Sequence, residues 1–166
     1  PIGLHAVECA LLMGAETVYA IDLLGTRRDL AQKLGAVALH PEEAVEVIKE
    51  RTRARMLDCS VEVVGSAATT RLALDLVGKQ GTVSVIGAGL INFDFPLQSA
   101  FRRGLTFRAS VCSVQRYLPL LTGLLQEGRL APERVISHRM SLSNGAEAYR
   151  LFDQREDNAM KLVLTP

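Results

Sequence analysis

At 166 residues the chain is long enough for one domain with a substantial core. Hydrophobic residues make up 48% and charged residues 22%, proportions that exclude a disordered or fibrous class. Lys plus Arg number 19 against 18 for Asp plus Glu, so no general electrostatic pull toward nucleic acid or an anionic membrane is expected.

No apolar run reaches the length of a membrane span and no signal-peptide pattern opens the chain, so a cytoplasmic address is the default expectation. Cys9, Cys59 and Cys112 are odd in number, far apart and in apolar contexts, which predicts three buried, reduced thiols. His5, His40 and His138 are scattered, and no metal site is expected within this chain.

In chain order, Gly3 opens an almost uninterrupted apolar helix over residues 4–13, with His5 and Glu8 marking its one wettable edge. A helix with so little polar surface is expected to be buried. Gly14 stops it, and a β-type run over 17–21 ends on Asp22, nineteen positions after Gly3. That is close to the separation between a phosphate-binding turn and the carboxylate that holds a ribose 2′-hydroxyl. In that scheme the helix N-terminus faces a pyrophosphate. Of the G-x-G-x-x-G fingerprint only x-x-G is present, as Pro1, Ile2 and Gly3. Many α/β proteins also have a buried helix followed by a strand ending in Asp, so this pair alone leaves both readings open.

Thr26, with Asp29 three residues on, predicts an N-cap for the next helix, and Gly35 its stop. A short strand over 36–39 precedes a helix opened by Pro41, with acids first and bases last. Residues 53–58 read as a basic connection and 59–64 as a strand ending at Gly65-Ser66. The helix that follows closes at Gly78. Residues 79–81 make a turn into a β-branched strand over 82–86, which breaks on Gly87-Ala88-Gly89.

This alternation predicts an α/β fold, a doubly wound parallel sheet with helices on both faces. In the strand order 3-2-1-4-5-6, strand 1 lies in the middle and would precede Pro1. Without it strands 2 and 4 would flank a gap. The expectation is therefore that the chain is the C-terminal part of a longer polypeptide. From residue 90 the pattern changes: Phe93 and Phe95 alternate, a sixth strand covers 105–111, and an amphipathic helix, RYLPLLTGLLQEG, places Pro119 near its first turn. Residues 136–142 read as extended, Ser143 or Asn144 caps a helix, and 161–164 form a closing strand. A boundary near 111–113 divides a dinucleotide-binding domain, 1–111, from a C-terminal segment, 112–166.

Taken together, PIGL, YAID followed by two arginines, KLGA, VEVVG, GTVSVIGAG and a terminal KLVLTP resemble the zinc-dependent medium-chain alcohol dehydrogenases. SVQRYLPLL, ISHRMSL and AYRLFDQREDNAMKLVLTP point to the formaldehyde-dehydrogenase-like branch. The resemblance covers essentially the whole chain and rests on ordered spacing. It implies a nucleotide-binding portion (a Rossmann fold without its first strand) and a C-terminal segment that returns to a GroES-like catalytic domain. The catalytic zinc and its ligands would lie upstream of Pro1, so no catalytic or metal residue is carried over.

What the resemblance implies for this chain is cofactor binding. Ile2 and Gly3 match the end of the Gly-rich turn. Asp22 matches the acid on the adenosine ribose, which favours NAD over NADP because a carboxylate repels a 2′-phosphate. Arg27 matches a basic position over that ribose; Arg28 beside it is compatible with pairing a 2′-phosphate. Val64 and Gly65, with Ser66, match a strand end beneath the riboses. Ile86, Gly87 and Ala88 match one whose backbone bonds the nicotinamide carboxamide, with Ser110 and Cys112 at the next strand end. Lys161 matches a residue reaching the pyrophosphate.

The resemblance also implies a small alcohol or aldehyde substrate and a homodimer or homotetramer joined at the sixth strand. Glu62 reads as a buried strand charge held by hydrogen bonds or a neighbouring cation, and His138 as structural. A zinc-independent quinone-reductase-like oxidoreductase and a non-catalytic dinucleotide-binding protein are the alternative readings.

Overall fold

A computed structural model describes residues 1–89 and 93–166. Leu90, Ile91 and Asn92, where the sequence pattern begins to change, lie outside the described residues. The elements in order are α1 (Ile2–Leu12), β1 (Tyr19–Ile21), α2 (Gly25–Lys33), β2 (Val37–Leu39), α3 (Pro41–Arg51), β3 (Leu57–Glu62) and α4 (Ala67–Leu76). They continue as β4 (Val77–Val85), α5 (Leu97–Arg103), β5 (Thr106–Ala109), α6 (Val114–Gln126), β6 (His138–Ser141), α7 (Gly145–Gln154) and β7 (Leu162–Thr165). The expected alternation of helix and strand is therefore present.

The strands hydrogen-bond as three groups among the described residues: β1-β2, β3-β4-β5 and β6-β7. Pairing of β4 with both β3 and β5 is parallel, as is β6 with β7. Two compact units emerge. One comprises Pro1–Ala20, Leu24–Ala38 and Gln115–Pro166; the other comprises Ile21–Leu23 and Leu39–Val114.

The first unit buries Leu4 and Val7 of α1 with Ala31, Ala36, Val135 and Met160. In the second, Ala73 and Leu74 of α4 pack on Val77, Val83 and Val85 of β4. Phe95 closes on Phe107 edge to face, with ring centroids 5.0 Å apart. Leu74 and Val83 are fully buried, and a side chain of this size removed from water contributes about 1.5–3 kcal/mol.

Several local expectations change. Residues 79–81 do not form a separate turn: β4 starts at Val77, immediately after α4, and pairs Leu57 with Val77 but Cys59 with Thr82. Between these pairs β4 advances five residues against two on β3, so the expected turn at 79–81 is a three-residue irregularity inside the longer strand, with Gln80 at φ 61°. α2 begins after Leu24 with no side-chain cap bond, so Thr26 is not its N-cap. α3, by contrast, is capped: the His40 side chain accepts from Glu42 N, and the Glu43 carboxylate accepts from His40 N at 2.9 Å. Pro119 lies inside α6, beyond its first turn, where it removes one helical hydrogen bond.

α7 starts after Asn144 without a side-chain cap. The bond belongs to Ser141, which accepts from Ser143 N in the preceding 3-10 turn. α1 is only part-buried, with Leu4 and Val7 inside and Ile2 59% exposed. Its polar edge holds an ion pair from Glu8 to Arg134 at 3.3 Å, and His5 bonds Glu8 at 3.2 Å. The cysteines are unpaired, but Cys59 and Cys112 are exposed and Cys9 is half-buried. Apolar neighbours in sequence did not bury them: Cys59 sits on an outward position of β3, and Cys112 follows the last paired residue of β5.

Candidate functional site

The second unit presents the carboxyl ends of three parallel strands. β3 ends on Glu62, and the chain turns through Val64 and Gly65 (φ +86°) into α4. Ser66 caps that helix: its hydroxyl accepts from Thr69 N at 3.1 Å, and the Thr69 hydroxyl accepts from Ser66 N at 3.3 Å. β4 ends one residue before Ile86. Ile86 N and Gly87 N both donate to the Glu62 carbonyl, at 2.9 and 3.2 Å.

The two strand-end turns touch through bare main chain. A Cβ built on Gly65 would lie 2.8 Å from Gly87 C and 2.9 Å from Ala88 O. One built on Gly87 would collide with Gly65 N and sit 2.6 Å from Val64 C. One on Gly89 would meet Gly65 O at 2.9 Å. Only glycine permits this approach.

Gly65 is buried under the contact, while Val64, Ile86 and Ala88 are exposed around it. The third strand is in register, Val85 opposite Ala109, so Ser110 leaves β5 as Ile86 leaves β4. Ser110 and Cys112 are exposed. The result is a ledge of main-chain groups bordered by the exposed side chains of Val64, Ile86, Ala88 and Ser110. A planar carboxamide or a sugar hydroxyl can approach peptide groups closely there. Such ledges at strand carboxyl ends are where open α/β sheets take their ligands.

Beneath the ledge, Glu62 is 4% exposed and hydrogen-bonded through both carboxylate oxygens. Oε1 accepts from Val64 N at 2.8 Å, Gly65 N at 2.9 Å and the Thr69 hydroxyl at 2.8 Å; Oε2 accepts from Gly65 N at 3.0 Å. Of the two expected partners, hydrogen bonds and a cation, the structure supplies hydrogen bonds. The first turn of α4, with its positive dipole end, adds to the compensation. Thr69 is the residue here that sequence reasoning did not single out. Its signal is the spacing from an acid within an apolar strand to a hydroxyl in the first turn of the next helix.

Of the other sequence-derived residues, Asp22 belongs to the same unit. It follows β1 directly, is half-buried, and its N–H donates to Leu39 O at 3.4 Å. Ile2, Gly3, Arg27 and Lys161 belong to the first unit. Ile2 and Gly3 form the first turn of α1, whose cap residue Pro1 accepts from Leu4 N and His5 N. Arg27 lies in the first turn of α2. Lys161 is exposed just before β7. Its main chain is gripped by Ser137: Ser137 N donates to Lys161 O at 2.8 Å, and Lys161 N donates to the Ser137 hydroxyl at 3.3 Å. His138 bridges Ser137 Oγ (2.9 Å) and Asp157 (3.1 Å), which gives this histidine a structural place.

Among the described residues, no group of three or more His, Cys, Asp or Glu side chains is arranged to hold a metal ion. No helix among them is long and apolar enough to cross a membrane. Burial, with the Glu8 charge alongside, pushes the Cys9 thiol up from its ordinary pKa.

Residues 1–127 match the family described as zinc-binding dehydrogenase. The chain belongs to that family. Its relatives include a probable zinc-binding alcohol dehydrogenase of Mycobacterium tuberculosis, 34% identical over 99% of this chain and 43% of that protein. An alcohol dehydrogenase of Cupriavidus necator is 31% identical over 100% of this chain and 47% of that protein. Among solved structures, alcohol dehydrogenase TADH from Thermus sp. ATN1 superimposes with a TM-score of 0.92 at 38% identity. It covers 99% of this chain and 49% of the other. The chain thus spans less than half the length of these relatives. Its α/β fold with parallel strands is that of their Rossmann-like nucleotide-binding portion.

Proposed function

We propose that this member of the zinc-binding dehydrogenase family is the NAD(H)-binding portion of a zinc-dependent alcohol or aldehyde dehydrogenase of the formaldehyde-dehydrogenase-like type. The observation that carries the reading is the glycine ledge, where Gly65 and Gly87 meet without side chains at adjacent strand ends. When bound, NAD supplies a nicotinamide ring that takes up hydride from an alcohol carbon.

In this reading the chain's residues bind and orient. The main chain of Ile86, Gly87 and Ala88, with Ser110 and Cys112, holds the carboxamide and so fixes the ring face. Val64 and Gly65 support the riboses. Asp22 accepts from the adenosine ribose hydroxyls, with Arg27 nearby in sequence on the next helix. Ile2, Gly3 and Lys161 serve the pyrophosphate, the first two through the positive end of α1. A zinc site, an alcohol or aldehyde pocket, pairing of copies through β5 and a cytoplasmic address belong to the proposal for the whole protein.

The test is a fluorescence titration of the full-length protein with NADH and NADPH. NADH is expected to bind at least about tenfold more tightly, because a carboxylate at residue 22 repels a 2′-phosphate. Asp22→Asn should erase most of that preference. Tighter NADPH binding by the unaltered protein would overturn the NAD assignment, and binding of neither would overturn the function.

A further inference from the structure

We infer that Glu62 is a positioning residue for the cofactor, acting through the two turns it joins. The inference rests on the functional reading above. Glu62 bonds both turns of the ledge from below. Its carboxylate takes Val64 N and Gly65 N, and its carbonyl takes Ile86 N and Gly87 N. Those four are all assigned to the dinucleotide. Its fifth partner, the Thr69 hydroxyl, ties the carboxylate to the first turn of α4.

A charged group would not be stable 4% exposed unless its lone pairs were filled. Donors reach both oxygens, with Val64 N and the Thr69 hydroxyl on Oε1 and Gly65 N shared between the two, so the side chain serves here only as an acceptor. That property decides the geometry. An acceptor-only group orders two successive N–H bonds inward, so Glu62 turns the 63–64 and 64–65 peptide groups, whose trans carbonyls, those of Val63 and Val64, are directed away from it. The same residue's carbonyl fixes the height of Gly87 against Gly65, where the bare-backbone contact leaves no slack.

Glutamine at this position keeps the shape but replaces one acceptor oxygen with a donor NH2, which at the Oε2 place faces the Gly65 N–H and at the Oε1 place faces Val64 N, Gly65 N and the Thr69 hydroxyl. The turn must then rotate or lose bonds. The nicotinamide end of the dinucleotide, which relies on both turns, should feel this change most. The adenosine end, which rests on the Val64–Gly65 turn alone and is held by Asp22 as well, should feel it least.

The experiment uses the full-length protein, unaltered and carrying Glu62→Gln, with NADH and 5′-AMP as probes and a thermal melt on each. The expected result is an NADH dissociation constant raised about tenfold and loss of the blue shift in bound-NADH emission. The 5′-AMP constant should change by no more than about twofold. General loosening would weaken both probes equally, and that outcome overturns the assignment, as does unchanged NADH binding by a folded E62Q protein. Thr69→Val, which removes one donor to the carboxylate and keeps the side-chain shape, is expected to shift NADH in the same direction by a smaller factor. If E62Q does not fold, an unchanged NADH constant in T69V overturns the assignment. Absence of NADH binding by the unaltered protein would overturn the functional reading and this assignment together.

Discussion

Gly87→Ala is the sharpest test of the ledge. No positive φ is involved at this position, so the whole effect is steric. The added methyl would collide with Gly65 N and lie 2.6 Å from Val64 C and 2.7 Å from Gly65 Cα, and all three are main-chain atoms. A flexible side chain could swing aside, but these peptides are held. Gly65 N is bonded to the Glu62 carboxylate, and Gly87 N to the Glu62 carbonyl.

Forced overpacking costs about 1–3 kcal/mol, and a rigid backbone neighbour places this case at the upper end, about 3 kcal/mol. For a domain of 166 residues that corresponds to a fall in melting midpoint of roughly 6–12 °C. The internal control is Gly123→Ala in α6, where nothing lies within 4 Å of the new Cβ. Replacing that helical glycine should stabilise by about 0.5–1 kcal/mol. Differential scanning calorimetry on the two variants and the parent reads both shifts. Equal midpoints for Gly87→Ala and the parent would refute the contact, and a loss in Gly123→Ala would refute the open space in α6.

Three further outcomes concern the titratable groups. Arg150 donates from Nη2 and Nε to the two Glu147 oxygens at 2.7 and 2.8 Å, and these bonds hold the Glu147 carboxyl below the usual carboxylate range. A depressed folded value stabilises above the unfolded carboxylate pKa, and this small, solvent-screened contribution is lost as pH falls through the folded value. NMR titration should show the Glu147 midpoint rising toward the ordinary range in Arg150→Ala; an ordinary midpoint in the parent would remove the pair. Cys9, half-buried with a raised pKa, should react with a thiol reagent at pH 8 well after the exposed Cys59 and Cys112. Mass spectrometry of the modified protein reads the order. NADH should slow labelling of Cys112 and leave Cys59 unaffected, and equal protection of both would count against Cys112 at the carboxamide.

The sequence alone determined the alternation of elements and, to within two residues, where the strands end: β3 stops at Glu62 and β5 at Ala109, each two residues short of the expected 64 and 111. Hydrophobic period and glycine punctuation are local, and residues such as Pro41, Gly65 and Gly87 act on the backbone wherever they stand. It also singled out Glu62 as a charge needing partners, because an ionised group inside an apolar strand is expensive by itself.

Tertiary structure decided what depended on neighbours far along the chain. The run after α4 became strand because β3 lay ready to pair with it, irregularity included. Thr26 lost its cap to a helix that begins at Gly25, and Cys59 and Cys112 came out to solvent because strand face and strand end, not composition, set their exposure. The same holds for the ledge: nothing local in VEVVG or VIGAG says that their glycines touch. Only the pairing of Glu62 with Val85 across β3 and β4 brings Gly65 onto Gly87, and that contact leaves room for no side chain.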